Sequence, residues 1–223
     1  MSGAKRVEQI GDARLYLGDC REILPTLGPL AAIVSDPPYG IDYMHSGRGK
    51  GKHLRRNGTK TICGDATAFD PSLIIAAAPS VLIFGADHYR ERLPDGGTFI
   101  AWDKSCGLGP ADSFADAEFI WTNERVKRNV IRYLWKGIIT EKAGEDNGSR
   151  QHPTQKPIGL MTRCIALLPY AETICDPFMG SGSTGVAAIR SGRRFIGCEI
   201  DAGYFAVACE RIENEQRQER LEL

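Results

Sequence analysis

The sequence has no apolar run long enough to cross a membrane; its best stretch, 72–84, is interrupted by Pro79. Residues 1–12 are polar and charged and lack the apolar centre of a secretory signal, so the cytoplasm is the expected location. There is no C-x-x-C pair. The seven cysteines (Cys20, Cys63, Cys106, Cys164, Cys175, Cys198, Cys209) are irregularly spaced, and several lie inside apolar runs. They read as small buried hydrophobes in a reducing compartment, with no support for a zinc site or a nucleophilic thiol. Net charge is also missing: 28 Lys+Arg stand against 28 Asp+Glu, so any polyanionic partner would be met by local clusters and not by the overall field. Repeats and low-complexity segments are absent.

What is present is a globular composition, 42% hydrophobic and 25% charged over 223 residues, enough for one domain with its own core. Short apolar runs at 13–18, 31–35, 81–84, 98–102, 118–121, 173–175 and 194–198 read as strands. They are apolar at nearly every position, as strands covered on both faces must be. Helical patterns occupy 20–27, 71–78, 157–168, 183–190 and 203–220, with Asp19 and Asp201 at N-cap positions. The alternation predicts an α/β fold with a mainly parallel sheet.

Two basic stretches depart from this pattern. Residues 45–60 carry Arg48, Lys50, Lys52, Arg55, Arg56 and Lys60 among four glycines, without one acid. They are expected to form a mobile loop. Residues 125–136 hold Arg125, Lys127, Arg128, Arg132 and Lys136, also without an acid, on an apolar framework that suggests a strand or short helix. Charge runs are usually solvated faces, and only a nearby nucleic-acid site changes that reading.

Two motifs carry chemistry. The first is Asp176-Pro-Phe178-Met-Gly180-Ser181-Gly182-Ser183-Thr184-Gly185, a G-x-G-x-x-G turn between a strand and a helix, with Glu199 about one strand further on. By that rule alone it is a nicotinamide dinucleotide site, and an NAD-dependent oxidoreductase is the alternative from a different class. An acid already at the strand end argues against a pyrophosphate there and for a cationic, adenosine-bearing ligand. The second motif is Asp36-Pro37-Pro38-Tyr39, a stiff corner closing a buried strand. The prolines remove two backbone donors. A carboxylate, a carbonyl at Pro37 and an exposed aromatic ring are then held where open α/β sheets bind ligands. Two acceptors on a nucleobase amine would favour the pyramidal nitrogen whose lone pair can attack, and Tyr39 offers a face for stacking an extruded base.

The two motifs in this order resemble the amino-group DNA methyltransferases of the β arrangement, in which the catalytic motif precedes the S-adenosylmethionine motif. The resemblance extends to Leu17-Gly-Asp19-Cys20, to His152-Pro-Thr154-Gln-Lys156-Pro157 and to Phe195-Ile-Gly-Cys-Glu199-Ile200-Asp201. It implies a Rossmann-like, seven-stranded sheet with one antiparallel strand, in permuted motif order, and the strands ending at Asp36 and Asp176 side by side. It implies S-adenosyl-L-methionine as cofactor, held by Asp19, Cys20, Asp36, Thr154, Lys156, Asp176, Phe178, Gly180, Ser181, Gly182, Ser183, Thr184, Glu199, Ile200 and Asp201. Catalysis falls to Asp36, Pro37, Pro38 and Tyr39, without a metal. DNA, the implied partner, would meet Arg48, Lys50, Lys52, Arg55, Arg56, Lys60, Arg125, Lys127 and Arg128. Asp at the head of the corner is typical of N6-adenine members, with N4-cytosine the alternative. A single domain is expected, with target recognition confined to the loop 45–60 and a small region within about 103–150. A homodimer is compatible with so small a recognition region, and the sequence does not say whether a restriction endonuclease accompanies the protein.

Overall fold

A computed structural model describes residues 3–41, 67–108, 115–127, 129–136, 139–140 and 155–222. The basic loop residues Arg48, Lys50, Lys52, Arg55, Arg56 and Lys60, together with Arg128 and Thr154, lie outside the described residues.

The chain opens with a hairpin, β1 (Arg6–Ile10) and β2 (Ala13–Leu17), and then a short helix α1 (Cys20–Ile23) that continues as a 3₁₀ turn at Leu24–Thr26. The Asp19 carboxylate caps α1 by accepting from the Arg21 N–H at 2.9 Å. β3 (Ala32–Ser35) leads into the Asp36 corner. After the segment outside the described residues come α2 (Ser72–Ala77), β4 (Ser80–Phe84), β5 (Thr98–Asp103), β6 (Ala117–Thr122) and β7 (Val130–Arg132). A small ladder pairs β8 (Trp135–Lys136) with β9 (Ile139–Thr140). The rest is α3 (Ile158–Ile165), β10 (Thr173–Asp176), α4 (Ser183–Arg190), β11 (Arg194–Glu199) and α5 (Ala202–Glu222), whose first turn is capped by the Asp201 carboxylate.

Among the described residues the main sheet has nine strands in the order β1-β2-β11-β10-β3-β4-β6-β5-β7. The interior seven, β2 to β5 in that order, are the expected mostly parallel sheet, with β6 antiparallel to both its neighbours. The two additional strands are the edges. β1 mixes polar and apolar residues and forms an antiparallel hairpin with β2, and β7 extends β5 in parallel. Each is short and half exposed, so neither carries the continuous apolar run by which the buried strands are recognised.

Side chains alternate between two cores. Ala32, Val34, Leu82, Phe84, Ile174 and Phe195 pack under α3, α4 and α5, whereas Ile33, Val81, Ile83, Cys175 and Cys198 pack under α1 and α2. Both faces are therefore filled, and the carboxyl ends of the parallel strands are left to carry a site. The antiparallel β6 contributes its beginning to that same edge.

Candidate functional site

β3 and β10 are hydrogen-bonded neighbours, in register at Ile174 with Ala32 and Cys175 with Ile33. Their ends hold the two predicted acids. Ser35, the last residue of β3, donates from its hydroxyl to Asp176 Oδ1 at 2.5 Å, which brings the two corners into one cleft.

Asp176 is almost fully buried. Besides Ser35 it accepts from the Thr184 hydroxyl at 2.5 Å and from the Phe178 N–H at 3.0 Å. Burial raises its pKa to about 6, although these three donors oppose the rise and the nearby Asp36 adds to it. Among the described residues every donor on this carboxylate is neutral. A buried carboxylate bonded to neutral donors would gain from a cation placed beside it, which fits a ligand bearing an ammonium.

The glycines of the turn have more than one task. Gly180 and Gly182 adopt positive φ, 51° and 82°. A Cβ on Gly182 would stand 3.0 Å from Ala208 Cβ, and one on Gly185 would stand 2.5 Å from Ile212 Cδ1. Both glycines therefore let α4 pack closely on α5 and β11, a task separate from the one expected of them toward a ligand. Thr184, Ser181 and Ser183 are likewise buried. Ser181 meets Arg211, whose guanidinium donates to its carbonyl at 2.7 Å and to its hydroxyl at 3.0 Å.

Glu199 ends β11 with its carboxylate bound to backbone: the Gly180 N–H donates at 2.9 Å and the Asp201 N–H at 2.8 Å. Burial raises its pKa against these bonds. Ile200 beside it is exposed. Asp19 is occupied by the Arg21 guanidinium at 2.5 Å, which lowers its pKa. Cys20 packs into the core, and burial pushes its thiol up to about 12. Phe178 sits edge-on to Phe69.

The Asp36 corner departs from expectation at its aromatic. The motif predicts an exposed Tyr39 face; instead the ring is half-buried, and the His88 imidazole stacks on it at 4.9 Å and 18°. It lies against Gly85, where a Cβ would overlap Tyr39 Cε1 and where φ is +71°. Any L side chain there would displace the tyrosine. The hydroxyl is also engaged, donating to Asp36 Oδ1 at 2.5 Å. Pro37 is buried and Pro38 half-buried.

Lys156 lies in this corner and not beside Asp176. Its ammonium donates to Asp36 Oδ2 at 2.8 Å and to the Tyr39 hydroxyl at 3.2 Å, and stands 3.2 Å from Glu118 Oε2. Glu118 also pairs with Lys104. Burial opposes the ammonium of Lys156, yet the charges of Asp36 and Glu118 outweigh it and raise its pKa to about 12. Burial raises Asp36, with Lys156 pulling the other way and Glu118 reinforcing the rise. Burial would also raise Glu118, but Lys156 and Lys104 bring it below the usual carboxylate value.

Glu118, Gly85 and His88 carry no motif in the sequence. Glu118 alone had a signal: an acid opening an apolar strand that must run against the others and so begins at the edge where they end. Of the expected DNA contacts that are described, Arg125 and Lys127 are exposed.

An α/β sheet with two acid-headed turns at adjacent strand ends places the chain among Rossmann-like folds that carry a site at the carboxyl ends of their strands. Similarity to known proteins narrows this. Residues 82–210 match the N6/N4 methyltransferase family model, described as DNA methylase. The YubD protein of Escherichia coli (strain K12), a putative methylase, is 43% identical over 92% of this chain and 92% of its own. The chain belongs to the N6/N4 DNA methylase family. It is 46% identical over 86 residues to the type II methyltransferase M2.DpnII of Streptococcus pneumoniae, a match spanning 38% of this chain but 31% of that relative. Among solved structures, the fold resembles PvuII DNA methyltransferase (cytosine-N4-specific), with TM-score 0.61 and 15% identity over 94% of this chain and 90% of that one. It also resembles the M1.HpyAVI–SAM complex, with TM-score 0.54 and 23% identity over 90% and 98% of the two chains.

Proposed function

We propose that this protein transfers a methyl group from S-adenosyl-L-methionine to the N6 amine of an adenine turned out of DNA. The observation that carries the reading is the pairing of β3 with β10, which sets the Asp36 corner and the Asp176 turn against one another through the Ser35–Asp176 bond of 2.5 Å. S-adenosylmethionine supplies a methyl carbon made electrophilic by its sulfonium. Asp176 is the acceptor for its ammonium, the Gly180 turn its cradle, and Glu199 and Asp19 the acids nearest its nucleoside end. M1.HpyAVI, a relative of the same fold, has been solved as a complex with this cofactor, which agrees with the assignment.

Asp36 and the Pro37 carbonyl accept the two N–H groups of the target amine, which directs the nitrogen lone pair out of conjugation and toward the methyl donor. Tyr39 keeps a stacking role, with His88 as the ring that the base displaces or extends. The amine's proton leaves for Asp36 or for water. Direct attack on a sulfonium methyl calls for no Lewis acid, since the leaving thioether is neutral.

Adenine is favoured by the aspartate heading the corner; the N4 amine of cytosine is the second reading, since one structural relative acts there. DNA is held by the loop 45–60 with Arg125, Lys127 and Arg128, and target choice is confined to the loop and to 103–150 within a single domain. No helix among the described residues is long and apolar enough to cross a membrane, and the cytoplasm is the proposed location. Incubating the protein with DNA and methyl-labelled S-adenosylmethionine, followed by mass spectrometry of the released nucleosides, tests the function. N6-methyl-2′-deoxyadenosine is expected; N4-methyl-2′-deoxycytidine would move the acceptor, and unmodified DNA would end the reading.

A further inference from the structure

The Lys156 side chain is about 10% exposed, and its ammonium sits between two carboxylates, Asp36 at 2.8 Å and Glu118 at 3.2 Å. Its remaining surroundings are aromatic: the Phe84 ring centroid is 5.3 Å away and that of Tyr39 5.7 Å. The cluster is assembled from separate elements, Lys156 just before α3, Asp36 after β3, Glu118 on β6 and Lys104 after β5. We propose that Lys156 is a positioning residue for methyl transfer: its ammonium, shared between Asp36 and Glu118, keeps Asp36 an anionic, correctly aimed acceptor for the target amine. The inference rests on the reading above and deepens it.

The physical need is specific. Asp36 must accept an N–H, and a carboxyl group that has taken up a proton presents a donor instead. Burial drives Asp36 toward that neutral form. Among the described residues the groups facing it are Lys156 and Tyr39, which favour the anion, and Glu118, which opposes it, with Tyr89 and Asp176 also within its electrostatic reach. Lys156 is thus the one cation bonded to the reacting carboxylate among the described residues. A carboxylate oxygen accepts more than one bond, so Lys156 remains in place when the amine arrives. Already protonated, it takes no proton from the reaction. Glu118 sets how firmly Lys156 leans on Asp36: its buried Oε2 has no hydrogen-bond partner among the described residues, so the ion pair with Lys156 is its compensation.

Opposite substitutions on the two sides of the ammonium test this. Two readouts are needed: the pH dependence of methyl transfer, and the titration of the Asp36 carboxyl carbon by ¹³C NMR on the DNA-free protein. Lys156→Met should move both midpoints up by about two pH units, a cost in rate that reaches about a hundredfold below the wild-type midpoint and is recovered as pH rises through the new one. Glu118→Gln should move them down, by about one unit. Lys156→Arg keeps the charge and should leave the midpoints near those of the wild type. Binding of S-adenosylmethionine should change by less than about threefold in all three, since their charges lie on the amine side of the cleft. Unmoved Asp36 titration in both Lys156→Met and Glu118→Gln would overturn the proposal, as would a loss of cofactor affinity in Lys156→Met matching its loss of rate. If the wild type itself transfers no methyl group, the functional reading fails, and the carboxyl titration still decides what Lys156 does to Asp36.

Discussion

The two carboxylates at the adjacent ends of β3 and β10 are compensated in opposite ways. Asp36 is bonded to a cation and a phenol, the cation reached from a distant part of the chain on a long side chain. Asp176 is bonded to two hydroxyls and a backbone N–H, all neutral and all from residues on β3 or within its own turn. The acid that must stay anionic without help from a ligand has its own cation. The acid proposed to receive a cationic ligand has none among the described residues, and burial raises its pKa to about 6. A site can therefore be read from what its buried charges lack as well as from what they hold.

The contrast breaks most sharply at Asp36. Asp36→Asn keeps the shape but exchanges an anionic acceptor for an amide, and methyl transfer measured under single-turnover conditions should fall about a thousandfold. S-adenosylmethionine binding by calorimetry should stay within about threefold of the wild type. Parallel loss of both would merge the two acids into one function.

Asp176→Asn is next. Cofactor affinity should drop by about tenfold to a hundredfold, because the ammonium loses its counter-charge. The unliganded protein should gain stability. The Asp176 pKa rises from 3.8 to about 6 on folding, so its favourable contribution is complete below 3.8 and is lost as pH climbs through 6. At pH values above that window the deficit is about 3 kcal/mol, an order-of-magnitude figure. Denaturant unfolding should show the asparagine variant the more stable at high pH and the two proteins converging near the unfolded carboxylate pKa. A stability difference independent of pH would show that Asp176 is not a strained anion.

The smallest effect is expected at Tyr39. A stacking role alone would make Tyr39→Phe harmless. With the hydroxyl bonded to Asp36, that substitution should cost about tenfold in rate near neutral pH, and Tyr39→Ala should cost more. Equal rates for the phenylalanine variant and the wild type would return Tyr39 to stacking alone.

Much of the fold is legible without coordinates. The interior strands announce themselves by unbroken apolar runs, and α4 falls at 183–190, where its pattern lies in the sequence. Asp19 and Asp201 cap their helices as their positions imply. The edge strand β1 is not legible, because a half-exposed strand of five residues leaves no continuous apolar run, whereas β7 falls inside the 125–136 segment whose apolar framework suggests a strand or short helix without showing that it joins the sheet. The resemblance of its motif marks Lys156 as a cofactor ligand, yet its place beside Asp36, 120 positions away in the chain, depends on where α3 begins over the sheet. Gly85 shows no turn pattern that points to Tyr39; its glycine is required by a ring that arrives from another loop.

The sequence alone determined the element types, the parallel sheet and the rigid acidic ends of two strands, since these follow from hydrophobic period, proline geometry and capping over a few neighbouring residues. Tertiary structure alone decided which charges share the cleft. The Lys156, Glu118 and Asp36 side chains meet because β6 runs against its neighbours and α3 starts at their ends, and no local rule of composition or spacing encodes contacts between groups so far apart along the chain.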